Sequence, residues 1–503
     1  MAPARRFVIL GGGTAGWMAA ALIAHRCGDH PASVMLVESP EIGIIGVGEG
    51  STPQLKAFFD ELNIAERDWM PACHATYKTG IRFAGWSDEP GFESYFHPFQ
   101  SVLDVHTAPA FFFHTRARRT GRDVPAHPDR FFLAARLAEA RLGPIPAESF
   151  PFELGYGYHF DAVLLGQFLA GHAKSRLGVI HIQRRVQGVR RNEAGEIAAL
   201  VLEGGGEVAG DFFVDASGFR ASLIGEALGE PFESFADNLF NNAAIALPGA
   251  RDEGATSCET VSTALSCGWT WRIPLTDRTG NGYVYASDFI SANDAETELR
   301  RHLGLLDADV PARHLSMRVG QVQRSWVGNC LAIGLAQGFI EPLEATALHI
   351  VHSTLTGWLD ALFADDFGPA NRISFNTAIH ARYEGIRDYI VCHYRMNRRQ
   401  GDYWRANGVN DNLSDNLKAL ISCWFQGGEL DEEVARLGVG HYYAALSWHC
   451  LFAGYGQFPE AARLRPPEAG LPLADMARID RFIAGCALNF PAHDDLLARL
   501  EEA

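Results

Sequence analysis

A chain of 503 residues, 47% hydrophobic and 20% charged, is long enough to bury an ample core as one large or two intimate globular domains. Its 60 acids against 43 basic residues leave a net charge of −17, which argues against nucleic acid as a partner and makes basic clusters such as residues 116–122 read as solvated surface. No apolar run is long enough to cross a bilayer, and residues 1–6 have no signal-peptide core behind them, so a cytoplasmic protein without membrane contact is expected. Nine scattered cysteines without a CxxC pair predict reduced, mostly buried thiols, with neither a disulfide framework nor a metal site.

In chain order, the first element is an apolar strand over residues 7–10 that runs into Gly11-Gly-Gly-Thr-Ala-Gly16. Gly11 permits a tight turn, Gly13 lets the backbone close on a pyrophosphate, and Gly16 lets helix pack on strand; Thr14 and Ala15 complete the GxGxxG turn. An alanine-rich helix over residues 17–26 would aim its N-terminal amides at the anion. A second strand, residues 34–37, ends in Glu38, placed where a carboxylate takes ribose hydroxyls. The run Gly46-Val-Gly-Glu-Gly50 has glycines at a different spacing, and backbone as permissive as that at Gly48 can lie against a flat ring. Apolar runs at 179–186 and 197–202 around Asn192-Glu-Ala-Gly195 signal a hairpin. Residues 211–218 repeat the pattern of apolar strand, acid, small residues and glycine. Two such turns far apart in sequence are typical of an FAD fold, and no second GxGxxG for a nicotinamide cofactor is present.

Further along, Trp269 and Trp271 project from the same face of an extended segment, where they either wall a cavity or fill a core. After Pro342, the spacing of Leu348, Val351, Leu355, Trp358 and Leu362 predicts a helix. Glu344 would sit at its positive end together with the amides near Thr346 and Ala347. That carboxylate is either a helix-stabilising charge worth about 0.3 to 1 kcal/mol or part of an anion site enclosed by further donors. Helical patterns then run to the C-terminus, giving an α/β fold: a glutathione-reductase-like FAD-binding sheet domain over 1–370 and a mainly helical, substrate-covering region over 371–503, aided by segments near Phe111 to Phe113.

These motifs, taken together, resemble the flavin-dependent halogenases of the tryptophan-halogenase family over most of the chain. The carriers are GGGTAGW at 11–17, GVGEGSTP at 46–53, YKTGIRF at 77–83, YHFDA at 158–162, VDASGFR at 214–220, WTWRIP at 269–274 and EPLEAT at 341–346. RDYIVCHY at 387–394 and the set Ser447, Trp448, Gly454, Gly456 and Pro459 follow. The resemblance implies a two-component enzyme that receives FADH2 from a separate flavin reductase and consumes O2. It oxidises chloride or bromide to a hypohalous species, which passes through a tunnel to a lysine beside an electron-rich aromatic ring. Lys78, which by itself would read as a surface lysine, matches that lysine, and Glu344 matches the catalytic glutamate. Thr346 and Ala347 match the halide site, while Val186, Leu335 and Leu348 match positions that touch the flavin. The two tryptophans match residues that keep organic substrate from the flavin.

Two departures stand out. Ala345 replaces the serine that follows the family's glutamate, removing a hydroxyl near the lysine. In the substrate lid, Arg399, followed by Tyr403 and Trp404, stands where enzymes of free tryptophan carry a glutamate that pairs with the amino group. A cation there repels an ammonium, which predicts a preference for indole or another electron-rich ring over free L-tryptophan. The alternatives are a flavin-dependent aromatic monooxygenase and a catalytically silent flavin-binding protein; a monomer or homodimer is expected.

Overall fold

The computed structural model describes residues 5–28, 32–41, 48–467 and 473–502, so Gly46 and Val47 of the GVGEGSTP run lie outside the described residues. The chain divides into two compact units, each assembled from three segments. The first comprises residues 1–75, 160–235 and 317–384; the second comprises 76–159, 236–316 and 385–503. A single boundary near residue 370 therefore does not match the division, since the helix Arg372–Arg395 straddles the change of unit at 384. The mainly helical character after 371 is present: every described element from Arg372 onward is a helix or a 3₁₀ turn.

The first unit is built on a six-stranded sheet with the strand order Trp326–Val327, Cys330–Ala332, Phe212–Asp215, Arg5–Leu10, Ala32–Glu38, Ile180–Gln183. The central strand pairs in parallel on both sides, opposing Leu10 to Asp215 and to Val37. Phe7, Val8 and Ile9 are fully buried, as a strand covered on both faces requires. The helix Thr14–Arg26 buries Trp17 through Ile23, and the small alanines let it approach its neighbours closely. The predicted hairpin forms from Val186–Arg191 and Ile197–Leu202, with the Asn192 side chain accepting from Glu196 N–H at 2.9 Å. Residues 180–183 of the same apolar run instead extend the parallel sheet.

The second unit holds a seven-stranded sheet ordered Arg313–Ser316, Ala243–Ala250, Arg278–Tyr285, Gly268–Pro274, Glu259–Leu265, Gly80–Ala84, Ser94–Pro98. The tryptophan-bearing strand is central in it. Gly282, directly opposite Trp271, leaves room for the indole: a Cβ there would fall 2.0 Å from the ring. The expectation of solvated basic clusters fails in part. Arg118 lies over Phe92 and Phe458, and Arg119 over Trp424 with its guanidinium carbon 4.4 Å from the ring centre, because these long stems cover aromatic surface.

Among the described residues, no helix is long and apolar enough to cross a membrane, and no group of three or more His, Cys, Asp or Glu side chains is placed to hold a metal ion.

Candidate active site

In the first unit the glycine turn has the form a pyrophosphate needs. Gly11 adopts φ +118°, and a Cβ on it would lie 2.2 Å from the Ala216 carbonyl oxygen. One on Gly16 would lie 2.0 Å from the Gly11 carbonyl oxygen, so any larger residue would push the helix off the strand. At Gly13 a Cβ would meet no protein atom within 4 Å, which leaves the backbone open to a ligand. Thr14 donates its hydroxyl to the Ala162 carbonyl at 3.1 Å, tying the turn to the helix Ala162–Arg176. The residues present thus fit a dinucleotide such as FAD.

Glu38 stands at the end of its strand as expected, with an unforeseen partner. His181 Nε2 donates to its Oε1 at 2.6 Å, and a Cβ on Gly12 would collide with its carboxylate. Asp215 is fully buried and accepts from the amides of Ser217, Leu223 and Ile224 and from the Ser217 hydroxyl. Burial raises it and these bonds oppose the rise, so this acid shapes the turn. Glu49, next to Gly48, is pushed up to about 7 by loss of hydration, with the Asp161 charge adding to the shift.

The sequence EPLEAT forms a 3₁₀ turn, Pro342–Glu344, and the helix proper begins only at Ala347. Ala345 between them takes φ +56°, a left-handed conformation that turns the chain from one to the other. The helix Ala347–Phe363 has no acidic residue in its first turn, so its positive end is uncompensated from within. Glu344 is 4% exposed and Thr346 6% exposed, while Ala347 is exposed. The predicted apolar face is borne out: Leu348, Val351, Leu355, Trp358 and Leu362 are all buried. Val186 and Leu335 are half-buried.

Lys78 belongs to the second unit and is wholly buried. It ends the short strand Thr76–Lys78, which pairs antiparallel with Gly157–Asp161. Its ammonium lies 5.3 Å from the centre of the Phe99 ring, an aromatic face that suits a cation stripped of water. The strand is tied to its surroundings by a directed chain of hydrogen bonds. Thr76 donates its single hydroxyl proton to the Pro274 carbonyl at 2.7 Å, so it can only accept from His159 Nδ1 at 3.0 Å. His159 Nε2 then takes the Thr260 hydroxyl at 2.9 Å. Burial, and secondarily the Lys78 charge, hold His159 well below its ordinary range, so the ring is neutral. Pro274 ends the WTWRIP strand; the lysine strand and the tryptophan strand are thereby joined. Trp269 and Trp271 are 2% and 8% exposed, with ring centres 6.3 Å apart.

The lid residues are more internal than expected. Tyr403 and Trp404 are buried and spend their polar atoms on Asn241 and the Leu265 carbonyl. Arg399 donates to the Gly85 carbonyl and lies over Trp404, its guanidinium carbon 5.3 Å from the ring centre. Burial lowers its pKa, opposed by Asp88 and Glu298. Phe111 is core, packed on Phe131 and Phe132, and Phe112 stacks on His449 at 4.2 Å. All residues assigned to flavin and halide, with Glu344, fall in the first unit; Lys78, the two tryptophans and the lid residues fall in the second. Sequence reading gave no role to Thr76, His159 or His181: His159 was present in YHFDA without a function of its own, and an isolated threonine or histidine such as Thr76 or His181 carries no spacing signal.

Comparison with known proteins matches the tryptophan halogenase family over residues 6–466. The chain is 38% identical to the 7-chloro-L-tryptophan 6-halogenase KtzR of Kutzneria sp. (strain 744), over 98% of this chain and 99% of that one. Among solved structures it resembles Tar14, a tryptophan C-6 flavin-dependent halogenase (chlorinase) from taromycin biosynthesis, with TM-score 0.84 and 32% identity over 99% and 100% of the two chains. It also resembles BrvH, a flavin-dependent halogenase from Brevundimonas sp. BAL3, with TM-score 0.82 and 33% identity over 99% of each chain. With the glycine turn, the buried lysine strand and these likenesses in place, the chain belongs to the tryptophan halogenase family and is an enzyme of that flavin-dependent class.

Proposed function

We propose that this enzyme uses FADH2 from a separate reductase and O2 to oxidise chloride or bromide, and halogenates an indole-like aromatic in preference to free L-tryptophan. The observation that carries this reading is Lys78: a wholly buried amine, over an aromatic ring and on a strand bonded to the WTWRIP strand. When bound, the reduced flavin would supply the electrons that turn oxygen and halide into hypohalous acid. The turn from Gly11 to Gly16, with Glu38, Gly48, Val186, Leu335 and Leu348, would hold the cofactor. Thr346 and Ala347 would present helix-end amides to the halide.

Lys78 would hold the oxidised halogen by hydrogen bond or as a haloamine. Glu344 would stabilise the cationic ring and accept its proton. Trp269 and Trp271 would keep the organic substrate from the flavin, which separates halogenation from ring hydroxylation.

Arg399 supports the substrate preference, because a guanidinium favours a neutral or acidic ring over one bearing an ammonium. With reductase, FAD, NADH, oxygen and bromide supplied, indole is expected to turn over faster than L-tryptophan. Clearly faster tryptophan turnover would overturn the preference. Oxidation of NADH by the purified enzyme alone would favour a hydroxylase instead.

A further inference from the structure

Next to Lys78 the backbone is completed by a side chain. The strand Thr76–Lys78 has Gly157–Asp161 on one side, opposing Tyr77 to Tyr158. On the other side, Thr79 N–H donates to the Cys258 carbonyl at 2.8 Å. At Tyr77 the acceptor is instead an imidazole: Tyr77 N–H donates to His493 Nε2 at 3.2 Å. His493 opens the helix His493–Glu502 and is wholly buried.

Two neighbours fix that ring. Its Nδ1 lies 3.2 Å from the Thr256 carbonyl, which can only accept, so the single ring proton sits on Nδ1 and Nε2 is free to take the Tyr77 amide. The Asp494 carboxylate accepts from Thr256 N–H at 3.2 and 3.3 Å. The His493 backbone N–H donates to the Arg141 carbonyl at 3.0 Å. The start of the last helix therefore grips residue 256 from both sides and delivers one neutral acceptor to the strand bearing the lysine.

We propose that His493 is a positioning residue for halogenation: it supplies the missing rung beside Lys78 and thereby sets where the lysine strand, and hence the buried amine, is held. The inference rests on the reading of Lys78 as the halogen-bearing amine. An aspartate or glutamate in this place could accept the same bond, but it would add a buried negative charge to the surroundings of Lys78. A neutral imidazole gives the geometry without that charge. Because a displacement of about 1 Å at a reacting group costs roughly a hundredfold in rate, a strand edge left unpinned has a kinetic signature.

The test uses the full-length enzyme with its reductase. His493→Phe keeps ring and bulk but removes the acceptor; His493→Gln restores one through its amide oxygen. The phenylalanine variant is expected to lower kcat roughly ten- to a hundredfold, with KM for the aromatic within about twofold. It should also speed hydrogen exchange of the Tyr77 amide by about tenfold or more. His493→Gln should recover most of both losses. A kcat for His493→Phe within about twofold of wild type, or no recovery in His493→Gln, overturns the proposal. Should His493→Phe fail to fold, exchange in the wild type still decides, since an unprotected Tyr77 amide contradicts the rung outright. Lys78→Ala separates the two readings. If it retains product, the role of the lysine falls and this proposal with it; if it is inactive while His493→Phe keeps wild-type kcat, only the positioning role falls.

Discussion

A lysine with no exposed surface has surrendered its hydration; the Phe99 ring faces its ammonium, and His159, kept neutral, adds no like charge beside it. Lys78 is the amine proposed to receive the electrophilic halogen. Lys78→Ala is therefore expected to abolish halogenated product while flavin binding, measured by fluorescence titration, stays within about twofold, because the residues proposed to hold the flavin belong to the other unit. Glu344→Gln keeps the size of a buried side chain but removes the carboxylate proposed as the base, and should lower kcat roughly a hundredfold or more. An unchanged kcat would remove Glu344 from proton transfer. The sequence named Lys78 and Glu344 through their motifs but concealed what holds them. His493 reaches Tyr77 across a separation of 416 residues, and no local spacing announces such a contact. Glu38 was legible as the acid ending a strand, whereas its bond to His181 needed the parallel pairing that sets residue 181 against residue 36.

Elements were legible where one periodicity governed them. The helix Ala347–Phe363 shows its buried stripe in the spacing of Leu348 to Leu362, and the hairpin at Asn192 shows its turn residues. The start of that helix was not legible, because Pro342 signals a first turn, and the 3₁₀ turn with a left-handed Ala345 intervenes before the α-helix begins. The strand Gly268–Pro274 depends on a different device, the missing side chain at Gly282. Gly282→Ala would press a methyl against the Trp271 ring and the Ile245 carbonyl oxygen, 2.5 Å away. It should cost about 1–3 kcal/mol of stability in denaturant unfolding. A variant as stable as the wild type would mean that the indole yields without strain.

Each unit also contains a histidine that folding keeps uncharged. Burial pushes His493 down to about 4 in one unit, and His349 likewise to about 4 in the other, where Arg382 adds to the shift. The ordinary value is near 6.5, so between these limits the unfolded chain binds the extra protons. Stability is thus complete above about pH 6.5 and declines as pH falls toward 4, by at most on the order of 3 kcal/mol per histidine. Urea midpoints should drop from pH 7 to pH 5, and His493→Gln should flatten that dependence; a midpoint that rises on acidification would contradict the neutral assignment. The division into two interleaved units was the least legible feature, since compactness is decided by contacts between segments distant in sequence.

One assay bears on all of this together. Wild-type enzyme and Lys78→Ala are given reductase, FAD, NADH, oxygen, bromide and indole, and the products are read by mass spectrometry. The expected result is the paired bromine isotope signal on indole from the wild type and none from the variant; an equal yield from both would contradict the role assigned to the buried amine.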